Sequence, residues 1–116
     1  MKRVSVVTDS TTGLPAELAA QHGLQIIPLW VRFGEQSHRD GVDLRPDQFY
    51  PMLAGAPDLP TTSQPSAGEF LELYRKLARE AEAIVSVHIS SELSGTVASA
   101  LAARQVFHDV PVHVVD

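Results

Sequence analysis

Four short runs rich in β-branched residues, Val4–Val7, Ile26–Phe33, Ile84–Ile89 and Val112–Val115, recur along this chain of 116 residues. Stretches with helical signals separate them. That alternation constrains the fold more than any other feature, because parallel strands need long crossovers and helices usually supply them. The class is therefore α/β. We expect a three-layer α/β/α domain over residues 1–116, with a mainly parallel sheet of four or more strands and right-handed crossovers. Hydrophobic residues, at 44%, suffice for one core.

Local signals place the elements. Pro15, followed by Glu17, Leu18 and Ala19, opens a helix that Gly23 closes. Pro28 removes a ladder donor, so the Ile26–Phe33 strand belongs at an edge or bends there. Gly34 opens a polar loop in which Asp40-Gly41 marks a turn. Pro46–Leu53 reads as a short helix ending near Gly55. Ala56–Pro65 carries prolines at 57, 60 and 65 and reads as an exposed loop. Ser66-Ala67-Gly68-Glu69 is a capping box. The helix it opens has one apolar face of Phe70, Leu73, Tyr74, Leu77, Ala78 and Ala81. Leu93–Phe107 reads as a second long helix, with Ser90 or Ser91 as its cap.

Charge and composition exclude several functions. Nine basic residues against 14 acidic give a net charge of −5, which opposes general nucleic-acid binding and attachment to anionic membranes. Without cysteine there is no disulfide scaffold, thiolate zinc site or cysteine nucleophile, and a cytoplasmic location is expected. Lys2 and Arg3 mimic the start of a signal peptide, but the apolar stretch stops at Thr8-Asp9. No integral membrane segment is expected.

The hydroxyls are unevenly spread. Of 10 Ser and 6 Thr, 12 fall in three segments: Thr8, Ser10, Thr11, Thr12; Thr61, Thr62, Ser63, Ser66; and Ser90, Ser91, Ser94, Thr96. The first and third follow a strand and precede a helix, and the second precedes the capped helix. In an open α/β sheet such loops gather at the carboxyl ends of the strands, where ligands bind. Hydroxyls and free N–H groups favour an anion. None of the three segments contains Lys or Arg, and there is no P-loop, so a carboxyl group suits them better than a phosphate. Ser66 and one of Ser10, Thr11 and Thr12 also serve as ordinary caps. Gly95, read inside the first turn of an Ala-rich helix, costs roughly 1 kcal/mol relative to Ala and points to a close approach to the backbone.

Other chemistries need other partners. A serine-dependent hydrolase or transferase requires a base from among His22, His38, His88, His108 and His113, and no Gly-x-Ser-x-Gly elbow is present. His88 and His113 alternate with aliphatic residues on strands, as satisfied sheet histidines do. No pair has metal-ligand spacing, so no metal or other cofactor is expected. Asp9, at a strand end, is the best carboxylate for chemistry or a partner contact, and also a natural turn cap.

The chain resembles the N-terminal half of the DegV family of bacterial fatty-acid-binding proteins. The stretches that carry the resemblance are Val7-Thr8-Asp9-Ser10-Thr11, Ile27-Pro28-Leu29, Asp40-Gly41-Val42-Asp43, Pro60-Thr61-Thr62-Ser63-Gln64-Pro65-Ser66 and Ser90-Ser91-Glu92-Leu93-Ser94-Gly95-Thr96. It departs at His38, where an aromatic is common, and at Val97, where Tyr is common. The resemblance implies a module that binds a long-chain fatty acid and is not itself an enzyme. Thr62 and Ser94 would hold the carboxyl group, supported by Thr61, Ser63 and the amides of Ser94-Gly95. Ser91, Thr96, Asp9 and Ser10 would complete the surroundings. It further implies presentation of the carboxyl group to a separate fatty acid kinase for acyl-phosphate formation. A second, lipid-burying domain would be absent from residues 1–116. An uncovered face containing Leu93 and Trp30 would then favour a homodimer or an interaction role.

Overall fold

The computed structural model describes residues 3–116. Lys2 lies outside them. The strands are β1 (Val4–Asp9), β2 (Leu24–Ile27), β3 (Trp30–Phe33), β4 (Gln36–Arg39), β5 (Thr61–Ser63), β6 (Ala83–Val87) and β7 (Val112–Val115). The helices are α1 (Ala16–Gln21), α2 (Pro46–Gly55), α3 (Ala67–Leu77) and α4 (Thr96–Val106). A four-stranded parallel sheet runs in the order β2-β1-β6-β7, as the strand alternation predicts. From β1 the chain moves through α1 to one side, and from β6 through α4 to the other. Right-handed crossovers then put α1 on one face and α3 with α4, which pack together, on the opposite face. The strand order therefore reverses between β1 and β6, and their carboxyl ends open a crevice there.

The core forms where the helical stripe meets the sheet. Phe70 and Tyr74 of α3 are fully buried against Val7, Ile84, Ala100, Phe107 and Val112, with Leu73 and Leu77 at the edge of the cluster. The capping box is present: the Glu69 N–H donates to Ser66 Oγ at 3.1 Å, and the Ser66 N–H donates to Glu69 Oε2 at 2.8 Å. Glu69 Oε1 also accepts from Trp30 Nε1 at 3.1 Å, which ties the start of α3 to β3. Ser66→Ala is expected to lower stability by about 1 kcal/mol in urea unfolding.

Four expectations need correction. The Ile26–Phe33 run is two strands in two sheets. Pro28 has no N–H, and the Leu29 N–H is taken by Ser10 Oγ at 3.0 Å, so the parallel ladder stops at Ile27. The stretches read as loops contain β4 and β5, which flank β3 in a three-stranded antiparallel sheet, β4-β3-β5. Gly34, at φ 59 beside Glu35 at negative φ, supplies the tight hairpin turn between β3 and β4. Strand β1 also runs on through Thr8-Asp9 instead of ending there. Finally, α4 begins at Thr96, so neither Ser90 nor Ser91 caps it, and Gly95 is its N-cap, not a first-turn residue.

Candidate functional site

The crevice between β1 and β6 holds a cavity of about 370 Å³. Its walls come from three loops and the small sheet: Thr11 after β1, Leu29 and Asp40 flanking β3 and β4, Thr62, Ser63 and Gln64 from the β5 segment, and Ile89, Leu93, Ser94 and Gly95 after β6. Thr62 and Ser94 thus face one space, with two further hydroxyl residues, an amide and three apolar residues, Leu29, Ile89 and Leu93.

Strand geometry sorts the second hydroxyl segment. Thr62 pairs with buried Val31, whereas Thr61 pairs with Arg32, so Thr61 lies on the other face of the small sheet. Thr62 and Ser63 border both the cavity and a pocket on that outer face, and Thr61 borders the outer pocket alone.

The third segment is divided as well. Ser94 Oγ lies 2.9 Å from Thr96 Oγ1 and accepts from the Thr96 N–H at 3.3 Å. Thr96 is fully buried and supports Ser94 from below. The Ser94 N–H is committed to the Ser90 carbonyl at 3.1 Å, so it is not free for a ligand. Among the described residues the Gly95 N–H has no backbone or side-chain acceptor. Ser91 stands apart: its N–H and Oγ bind the Asp116 carboxylate at 2.8 and 2.6 Å, which holds the Asp116 carboxyl below the usual range.

The close approach expected at Gly95 exists, and its partner is Gln64. A Cβ at Gly95 would sit 2.8 Å from Gln64 Nε2 and 2.9 Å from Cδ. Gly95→Ala therefore pushes the Gln64 amide out of the cavity wall. Because that side chain swings freely, the expected stability loss is about 1 kcal/mol or less. The shifted Gln64 side-chain amide signals in an NMR spectrum check it.

Beneath the cavity lies a buried polar chain. Asp9 Oδ1 accepts from the Thr11 N–H at 3.0 Å and from Thr11 Oγ1. Asp9 Oδ2 accepts from His88 Nδ1 and from the Ile89 N–H, each at 3.0 Å. His88 Nε2 meets Ser86 Oγ, and the Tyr74 O–H donates to Ser86 Oγ at 2.8 Å. Burial alone would raise the Asp9 pKa. The hydrogen bonds from His88, Thr11 and Ile89 outweigh it and bring the carboxyl from 3.8 to about 2. Burial pushes the Tyr74 hydroxyl up, with the Ser86 bond opposing.

Ser86, His88 and Asp9 have the connectivity of a hydrolytic triad. Ser86 is nevertheless fully buried, and the cavity walls do not include it. His88 is a satisfied buried histidine, as expected, but it lies just past β6, which ends at Val87 and not at Ile89. Asp9 is fully buried too and is not among the residues that line the cavity. Ser10 positions Leu29 and does not line the cavity.

Sequence reasoning missed Thr11, Leu29, Asp40, Gln64, Ile89 and Leu93 as wall residues. Thr11 lay in a hydroxyl segment already singled out. Asp40 gave only a turn signal, yet it is the one charged side chain in the wall. No three His, Asp or Glu side chains among the described residues are grouped to hold a metal, and no described helix is long and apolar enough to cross a membrane.

A family model described as "Uncharacterised protein, DegV family" matches residues 3–116. Protein DegV of Bacillus subtilis is 41% identical over 113 residues, covering 97% of this chain and 40% of its own length. A crystal structure of DegV from Bacillus subtilis, described as a fatty acid binding protein, superposes with a TM-score of 0.92 at 40% identity, over 97% of this chain and 40% of that one. A DegV family protein from Thermus thermophilus, described by its fatty acid binding, gives 0.85 at 43% identity, over 98% and 40%. A stearic acid-binding protein from Eubacterium ventriosum gives 0.88 at 32% identity, over 100% and 41%. The chain spans about 40% of the length of the relatives it matches.

Proposed function

The chain belongs to the DegV family, and from that premise we propose that it is the carboxyl-holding module of a fatty-acid carrier. The observation that carries this reading is the meeting of Thr62, Ser63, Ser94 and the Gly95 N–H around one cavity at the crevice where the strand order reverses. Hydroxyls and an amide accommodate a carboxyl group, and Leu29 and Leu93 offer the first methylenes an apolar surface. We further propose that the module presents the bound carboxyl group to a separate kinase for acyl-phosphate formation, and that it acts as carrier and not as catalyst.

Two features bound what residues 3–116 do alone. The cavity accommodates a head group but not an acyl chain of roughly 16 carbons, each worth about 0.8 kcal/mol per buried CH₂. Asp40 opposes an ionised carboxylate in the same space, so the head group needs a proton, or a cation from outside the described residues. Both point to a site completed by further polypeptide of the kind the longer relatives possess. Native mass spectrometry of the protein after gentle extraction tests the reading. A bound mass matching a long-chain fatty acid supports it, and a clean ligand-free protein counts against it.

A second reading rests on exposure. Leu93 is 77% exposed at the cavity's lip. Left bare, it favours a second copy of the chain as partner. Light scattering is expected to find a homodimer or weaker oligomer, and a monomer at high concentration opposes this.

A further inference from the structure

We propose that Asp9 is the positioning residue of the cavity: it fixes Thr11 and Ile89, from two different loops, as opposing walls for the ligand's head group. The inference rests on the carboxyl-holding reading and adds to it the residue that shapes head-group preference. Thr11 follows β1 and Ile89 follows β6, so they flank the crevice from its two sides, and both line the cavity. Asp9 binds both: Thr11 through one carboxylate oxygen and the Ile89 N–H through the other.

The buried chain below fixes Asp9 in turn. Asp9 Oδ2 accepts the proton on His88 Nδ1, which leaves Nε2 as an acceptor. The Ser86 O–H then donates to Nε2, and the Tyr74 O–H donates to Ser86. Every donor points toward Asp9, and an ionised carboxylate with four donors is a rigid anchor.

Asn is nearly the same shape but has one acceptor oxygen where Asp9 has two. With that oxygen toward Thr11, the Ile89 N–H loses its acceptor; with it toward His88 and Ile89, the Thr11 N–H loses its acceptor. Asp9→Asn therefore releases one wall and spares the other.

Two measurements on the 116-residue protein test this. In the ligand-free protein, hydrogen exchange of one of the two wall amides, Ile89 or Thr11, should speed up about tenfold in Asp9→Asn relative to the β1–β6 ladder amides. In titrations with hexadecanoic acid and hexadecan-1-ol, the acid-over-alcohol preference should fall about tenfold while alcohol affinity holds. Unchanged relative exchange at both Ile89 and Thr11, or parallel loss of acid and alcohol binding, overturns the positioning role. A wild type that does not prefer acid over alcohol removes the carboxyl-holding reading and this proposal with it. If Asp9→Asn fails to fold, Ser86→Ala replaces it, since it touches no wall residue. It should lower the preference about threefold by loosening His88, and an unchanged preference overturns the proposal.

Discussion

In a longer chain that also carries the lipid-burying domain, replacing either Ser94 or Thr62 by Ala is expected to weaken binding of a long-chain fatty acid about 10- to 150-fold in a fluorescence titration. With the head group kept ionised by a cation from outside the described residues, each hydroxyl supplies a charge-assisted hydrogen bond worth roughly 1.5–3 kcal/mol, at 1.4 kcal/mol per tenfold. Stability should fall by less than about 1 kcal/mol in Ser94→Ala, because only the bond from the Thr96 N–H and the contact with its hydroxyl are lost. Ser66→Ala should behave oppositely, losing stability and keeping affinity. Equal affinities for wild type and Ser94→Ala would mean that the hydroxyl only shapes the start of α4.

The second large effect is acid lability traceable to one carboxyl. The fold lowers the Asp9 pKa from 3.8 to about 2. Its contribution is fully present above the higher value and is lost as pH falls from one toward the other. Over that window it amounts to about 2 kcal/mol, at roughly 1.4 kcal/mol per pKa unit. Urea unfolding of wild type should show a steep loss there. Asp9→Asn should start less stable and show a correspondingly flatter pH dependence. Identical slopes would show that other carboxylates carry the acid transition.

The main sheet was legible because its signals are local. β-branched runs, a capping box and a 3.6-residue stripe that starts at Phe70 and includes Tyr74 are each written within a dozen residues. The small sheet was not. Gln36–Arg39 and Thr61–Ser63 are polar, short and weakly alternating, and both are strands only because Val31 and its neighbours offer free edges. Their polarity comes from lying at the rim, with much of their surface in water. The hydroxyl clustering located the cavity, since caps and ligand cradles use the same groups at the same strand ends. It did not resolve which hydroxyls face inward. Thr61 and Thr62 are adjacent and chemically alike, and only strand alternation separates them. Nor did sequence alone distinguish a contact from a support: Asp9 and Thr96 carry the right chemistry, but complete burial places both beneath the wall.

The central claim, that Thr62, Ser94 and Gly95 surround a carboxyl group, is tested most directly by amide NMR of the protein titrated with a long-chain fatty acid and with the alcohol of equal length. The account predicts saturable shifts at Thr62, Ser94, Gly95 and Ile89 with the acid and much smaller shifts there with the alcohol. Equal shifts from both ligands, or acid-induced shifts centred instead on the groove between Ile26 and Lys76, would contradict it.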